Sequence, residues 1–174
     1  MSLEAASEGR APRRAQGGAH PSGGGSTDGS VGRGTSFRQE LVIHFSDCDP
    51  AGIVFYPRYF AMFDHSTTTL ITAASGLSKY ELFQTYDFGG YPMVDTRARF
   101  MIPCRFGDDV TIESAFTKIG RSSFEIEHKL FKKGELCLEG FEIRVWVGRD
   151  PDDPSKIKSK PIPDGLAAKF KAGL

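Results

Sequence analysis

The sequence predicts an α+β fold, with one long helix followed by a run of antiparallel strands. Three observations lead there. Tyr56, Phe60, Phe63, Leu70, Ile71 and Ala74 recur at helical spacing. From Tyr91 onward the apolar residues change to strand-like patterning. Turn residues divide that stretch at Gly107-Asp108-Asp109, Gly120-Arg121 and Lys132-Lys133-Gly134-Glu135. An isolated helix beside many strands belongs to the class in which helices are confined to one side of an antiparallel sheet.

The elements follow in chain order. Leu41, Ile43 and Phe45 alternate, so Arg38 to Phe45 reads as a strand. An Asp-Cys-Asp-Pro-Ala-Gly turn comes next. Pro50 restricts Asp49 to an extended backbone, and Gly52 permits a turn conformation closed to other residues. Pro57 suits the first turn of the long helix, where its missing N–H costs nothing. Gly76 is its C-terminal stop. Ser78, with Glu81 three residues on, caps a short second helix through Tyr86. Asp87-Phe88-Gly89-Gly90 is a loop. Tyr91 to Ile102 is a long strand ended near Pro103, and Val110 to Ile119 is the next. Ser123 to Phe131 alternates through Phe124, Ile126, His128 and Leu130. Leu136 to Val147 changes apolar phase: Leu136 and Leu138 are even, whereas Phe141, Ile143, Val145 and Val147 are odd. That change places a β-bulge near Gly140. Ile157 to Ile162 adds an edge strand and Pro163 to Phe170 a terminal helix. There are no internal repeats.

Composition narrows the function classes. The 174 residues suit one domain. Lys+Arg and Asp+Glu are 22 each, and a formal charge of zero gives no support for nucleic acid or an anionic membrane as main partner. Residues 1–36 hold nine of the 20 Gly and no aromatic residue, and include the run Pro21-Ser22-Gly23-Gly24-Gly25-Ser26. Such a stretch has too little to bury to offset its ordering entropy, so it reads as a disordered tail or a leader, with the folded domain over 37–174. It lacks the apolar run of a secretory signal, and no segment is apolar for 18 residues. Cys48, Cys104 and Cys137 are odd in number and widely spaced. They form no metal pattern or disulfide framework, and a reducing cytoplasm is the simplest setting.

The segment Phe45-Ser46-Asp47-Cys48-Asp49-Pro50-Ala51-Gly52-Ile53-Val54-Phe55-Tyr56-Pro57 carries the chemistry. It sets an acid-rich turn directly before an aromatic-faced helix. A carboxylate beside the free N–H groups of a helix start can attack, or activate water, while those N–H groups hold the oxygen that becomes negative. That pairing suits hydrolysis of an activated acyl group. Taken alone, Asp49 reads first as a turn residue accepting local backbone bonds, and it is the full motif that favours the catalytic role. Asp64 lies two helical turns after Pro57 on the same face, with Phe60 between them. An acid on a semi-apolar face needs a partner, and an intrachain ion pair or a bond to Thr67 or Thr68 would serve. His44, His65 and His128 have no spacing for a metal or a nucleophile triad, and His44 and His128 read as structural. Nothing near Cys48 lowers its thiol pKa, since Asp47 and Asp49 flank it.

This segment closely resembles the active-site loop of the 4-hydroxybenzoyl-CoA thioesterase family. There Asp-Cys-Asp-Pro-Ala-Gly-Ile-Val is followed by an aromatic residue, Tyr and Pro. The resemblance extends more weakly from about Phe37 to the C-terminus. It implies a hot-dog fold, a long central helix wrapped by a curved antiparallel sheet, and hydrolysis of an acyl-CoA thioester. It implies Asp49 as the catalytic carboxylate, as nucleophile or as general base, with Asp47 ordering the loop. It implies that the Tyr56 backbone N–H faces the thioester carbonyl, with Phe55 and Phe60 beside the acyl group. In the family's hydroxybenzoyl enzyme an Asp matching Asp64 contacts the ring hydroxyl. The resemblance also places CoA phosphate contacts in the Arg121-Ser122-Ser123 turn, where Arg offers a planar fork of donors. The family's aryl-CoA member carries more charge where this chain has Gly120 and Ser122. Lys118, Arg97, Arg99 and Arg144 are secondary candidates for those contacts. No metal or redox cofactor is implied, and coenzyme A enters as part of the substrate. The family's sites lie between subunits, which implies a homodimer or a homotetramer. Short-chain acyl-CoA or acyl carrier protein thioesters, and a non-catalytic acyl-CoA sensor, are the alternative readings.

Overall fold

A computed structural model of the protein describes residues 36–153 and 155–172. The expected tail, residues 1–36, lies almost wholly outside the described residues. Strand β1 (Phe37–Val42) leads through a single 3-10 turn (Phe45–Asp47) to helix α1 (Tyr56–Ser75) and the short α2 (Lys79–Thr85). Strands β2 (Met93–Phe100), β3 (Asp109–Ile119), β4 (Ser123–Lys132) and β5 (Glu135–Val145) follow. With β1 they form one five-stranded antiparallel sheet in the order β1-β3-β4-β5-β2. Helix α1 buries Tyr59, Phe63, Leu70 and Ile71. The sheet answers with Val110, Ile112 and Phe116 of β3 and Phe124, Ile126 and Leu130 of β4. A single helix laid on an open antiparallel sheet is the hot-dog arrangement.

Local signals set the element ends. Phe55, extended at φ −63° and ψ 118°, precedes the helix, and Pro57 sits in its first turn. Gly76 closes it at φ 74°, its N–H donating to Thr72 O at 2.9 Å. The Ser78 hydroxyl accepts from Glu81 N at 3.2 Å, and Glu81 Oε2 accepts from Ser78 N at 2.7 Å, so the expected cap on α2 forms. Lys133 and Gly134 turn between β4 and β5 with φ of 51° and 82°, as a two-residue hairpin turn of the I′ type requires.

Several expectations need correction. Strand β1 stops at Val42, and Phe45 stands in the 3-10 turn with 78% of its surface exposed. The main-sheet strand ends at Val145. Val147 belongs to a separate strand, β6 (Val147–Arg149), which pairs with β7 (Ile157–Ser159), so Ile157 does not edge the main sheet. Helix α3 (Asp164–Lys171) then closes the far end of the core, with Phe170 stacked on Phe116 at 4.7 Å.

The bulge in β5 is at Cys137 rather than Gly140. Leu130 pairs with Leu138 and Phe131 with Leu136, which leaves Cys137 extra, whereas Gly140 pairs regularly with His128 and Ala98. Beyond the bulge, Leu138, Gly140, Glu142 and Arg144 are buried with the helix-facing residues. Phe141, Ile143 and Val145 lie half-buried on the other side. Gly140 is needed for a different reason: a Cβ there would sit 2.8 Å from Phe63 Cζ. Phe63 is fully buried and stacked on His128 at 4.5 Å, so it has little room to give. Gly140→Ala should therefore destabilise by about 1–3 kcal/mol through overpacking. Gly165→Ala, in open space on α3, should be neutral or gain up to about 1 kcal/mol. Thermal melts of the two variants check this, and equal melting temperatures would remove the close-approach argument.

Candidate active site

The chain between β1 and α1 closes on itself as a small hairpin. Phe55 N–H donates to Asp47 O at 2.8 Å, Cys48 bridges Val54, and Asp49 N–H donates to Ile53 O at 2.9 Å. At the tip, Gly52 takes φ 74° and its N–H donates to Asp49 O at 2.9 Å. Val54 N–H donates to Cys104 O at 2.9 Å, which ties the hairpin to the segment after β2. Asp47 is buried and organises this loop. Its Oδ1 accepts from Arg58 Nε at 2.9 Å and Nη2 at 2.8 Å, and its Oδ2 accepts from His44 N at 2.9 Å. Burial works against the Asp47 carboxylate. The Arg58 guanidinium and the His44 N–H outweigh it and hold the carboxyl below its ordinary range. Asp47 thus has the ordering geometry expected of it. Arg58 supplies the clamp, which pattern reading had missed: a helical Arg eleven residues downstream gives no local signal.

Asp49 is half-buried near the hairpin tip. Its Oδ1 accepts from Ala51 N at 2.9 Å, and its other oxygen makes no hydrogen bond among the described residues. One oxygen thus makes the turn bond and fixes the carboxylate, while the second is open. Tyr56 begins α1, so its N–H has no intrahelical acceptor, and it makes no other hydrogen bond among the described residues. A cavity of about 250 Å³ opens beside it, with Ile53, Val54, Tyr59, Phe100 and Ile102 among its walls. The Tyr59 hydroxyl accepts from Cys104 N at 3.3 Å and braces one wall; burial pushes its pKa up. Phe55 and Tyr56 are exposed and meet edge to face at 5.5 Å, and Phe60 is half-buried against Phe63 at 6.3 Å.

Asp64 pairs with Arg144, Nη2 to Oδ1, at 2.8 Å. The ion pair is the alternative realised. Thr67 donates instead to Glu142 Oε2 at 2.9 Å, and Thr68 shares a hydrogen bond with the Tyr91 hydroxyl at 3.1 Å. Arg144 itself is only 4% exposed. It faces the helix and is not available to a phosphate at the surface, which corrects its place among the secondary candidates. The wrong strand phase beyond Cys137 concealed this.

The proposed CoA-contacting turn sits elsewhere. Arg121 is exposed, and its carbonyl accepts from Ile162 N at 2.8 Å. Ser122 O accepts from Trp146 N at 2.8 Å, and Ser123 O accepts from Gly120 N at 2.8 Å. Lys118 pairs with Glu125 at 3.1 Å. Strand β3 starts at Asp109, next to the Ile43–Asp108 hydrogen bond, and ends at Ile119, just before this turn. Eleven strand residues span roughly 33 Å. One chain therefore places Asp49 and Arg121 at opposite ends of the sheet.

A carboxylate loop set against an open helix start, on a hot-dog scaffold, is a frame suited to cleaving thioesters. The chain belongs to the thioesterase-like superfamily, whose sequence profile matches residues 43–170. It is 28% identical over 120 residues to the 4-hydroxybenzoyl-CoA thioesterase of Pseudomonas sp. strain CBS-3, a match covering 66% of this chain and 85% of that protein. The solved structure of 4-hydroxybenzoyl-CoA thioesterase from that strain superposes with a TM-score of 0.70 at 26% identity, covering 77% of this chain and 98% of that one. A gentisyl-coenzyme A thioesterase structure superposes with a TM-score of 0.66 at 31% identity, over 75% and 98% of the two chains. An acyl-CoA thioester hydrolase of Escherichia coli, YbgC, is 21% identical over 146 residues, covering 79% of this chain and 97% of that protein.

Proposed function

We propose that this protein hydrolyses acyl-CoA thioesters to the free acid and CoA, and that its acyl group is aromatic and hydroxylated. The observation that carries the reading is the pairing of an open Asp49 oxygen with an uncommitted Tyr56 N–H at the start of α1. In the proposed reaction the Tyr56 N–H stabilises the carbonyl oxygen as it becomes negative. Asp49 either attacks the carbonyl carbon, releasing CoA thiolate and leaving a mixed anhydride for water to cleave, or takes a proton from the attacking water. Asp64, Phe60 and Phe55 favour an aromatic acyl group. So do two relatives that are named for hydroxyaryl esters. The chemistry needs no cofactor beyond the CoA carried by the substrate. The three cysteines are free, which suits a reducing compartment such as the cytoplasm. Among the described residues, no helix is long and apolar enough to cross a membrane.

CoA phosphate binding by Arg121, Ser122, Ser123 and Lys118 requires a second copy of the chain, because one copy holds them toward the far end of β3, a strand roughly 33 Å long, from the Asp49 loop. Phe45, Tyr56, Phe100 and Phe106 are exposed around that loop, an apolar surface of the kind that marks an interface. Light scattering at micromolar concentration should give a dimer or tetramer, and a monomer would remove the shared site. Thiol release from a panel of hydroxybenzoyl-, benzoyl- and short-chain acyl-CoA esters and acyl carrier protein tests the hydrolase reading. Hydroxybenzoyl-CoA should be turned over best. Binding without thiol release would establish a sensor in its place.

A further inference from the structure

Five side chains form a buried polar network between α1 and the sheet. Ser114 Oγ lies 2.7 Å from His128 Nδ1. His128 Nε2 is 3.4 Å from Thr67 Oγ1 and 3.6 Å from Glu142 Oε2. That same carboxylate oxygen accepts from Thr67 Oγ1 at 2.9 Å and from Arg144 Nε at 2.8 Å. Ser114, Thr67, His128 and Glu142 are fully buried and Arg144 nearly so. The other Glu142 oxygen and Arg144 Nη2 have no hydrogen-bond partner among the described residues, so Arg144 meets Asp64 as an ion pair. Charges placed in a core this way seldom add net stability over a packed apolar core of the same shape.

The network meets solvent at Asp64. Arg144 donates Nε to Glu142 and sets its Nη2 charge 2.8 Å from Asp64 Oδ1, and the Asp64 side chain is 58% exposed. Arg144 also lies over the Tyr91 ring at 5.8 Å, which limits its swing. A lone Asp on an exposed helix face would sample several rotamers. Here a guanidinium anchored in the core holds its carboxylate from beneath.

We propose that Arg144 is a positioning residue for acyl-group recognition: it fixes the Asp64 carboxylate to accept a hydroxyl of the acyl group, and the Glu142–Thr67–His128–Ser114 network fixes Arg144. This rests on the aryl-CoA thioesterase reading. A pre-oriented anionic acceptor makes a strong, directional bond to a hydroxyl and loses little entropy in doing so. An acyl group without the hydroxyl gains nothing from it.

The test compares kcat/KM for 4-hydroxybenzoyl-CoA and benzoyl-CoA in the full chain, Arg144→Gln, Asp64→Asn and the double variant. Arg144→Gln should lower the value for the hydroxylated ester by about 10-fold or more, and leave benzoyl-CoA within about 2-fold. Asp64→Asn should act likewise, and the double variant should be no worse than either single one. Arg144→Lys should recover part of the loss. If Arg144→Gln fails to fold because Glu142 is stripped of its counter-ion, the pair Glu142→Gln with Arg144→Gln removes both charges and should show the same selective loss. Equal losses on both esters, or additive losses in the double variant, overturn the assignment and leave Arg144 structural. A parent chain that cleaves neither ester sinks the hydrolase reading and this assignment with it. A parent that cleaves both, with discrimination untouched by Arg144→Gln, sinks the assignment alone.

Discussion

Asp49→Asn lowers kcat by about 1,000-fold or more while the affinity for the CoA ester changes little, as expected when a group acts mainly in the transition state. The substitution keeps size, and its amide oxygen can still accept from Ala51 N, a bond of 2.9 Å in the parent. The hairpin should therefore survive and only the charge and the attacking oxygen are lost. Asp47→Asn is the contrasting case. It weakens the clamp to Arg58, at 2.8 Å, and costs stability, but it should cost far less in kcat. Steady-state thiol release with both variants separates the roles. Parent-like turnover by Asp49→Asn would reduce that residue to a turn former and end the mechanism proposed above.

Glu142 governs the second large effect, which appears in stability rather than rate. Burial opposes its charged form, but His128 and Arg144 outweigh burial and hold the carboxyl at about 2, against 4.5 in an unstructured chain. A carboxyl depressed on folding stabilises fully above the unfolded value. That stabilisation fades as pH falls from about 4.5 toward 2. The difference corresponds to about 3 kcal/mol. Glu142→Gln should thus be less stable than the parent by about 3 kcal/mol at pH 7, with the gap narrowing below about pH 4.5 and closing toward about pH 2. Asp47 and Asp108 also hold depressed carboxyls. Burial opposes both; Arg58 chiefly overcomes it for Asp47, and the Arg105 N–H and Lys132 for Asp108. An acid limb should therefore persist in the variant, shallower than in the parent. Urea unfolding across pH 2–7 measures the gap, and a gap independent of pH would show that the Glu142 charge is not what the core holds.

Much of the molecule was legible before any coordinates. Pro57, Gly76 and the Ser78–Glu81 pair set helix ends through bonds that span a few residues, so their signals are local. The Lys133-Gly134 turn is legible for the same reason. The stretch from Phe45 to Pro57 announced a loop in which backbone turns and acid side chains cooperate, because many of its partners lie inside that stretch or next to it at His44 and Arg58, while Cys104 and Arg105 reach it from far along the chain.

The chain's own order of residues determined the long helix, the run of strands, the acidic turn before the helix and the family resemblance carried by that turn. Tertiary structure decided what each strand face meets. Alternation along β5 defines two faces but not which is inner, and here Phe141, Ile143 and Val145 point away from the helix while Glu142 and Arg144 point toward it. The bulge at Cys137 sets that choice, and it exists only in the register with β4. Packing likewise gave Gly140 its purpose, since the ring it must clear belongs to Phe63, 77 positions earlier. The partner of Asp64 was settled in the same way. Thr67 and Thr68 are near it in sequence, but the guanidinium that holds it comes from a strand 80 residues on, and only the stacking of helix on sheet brings them within 2.8 Å.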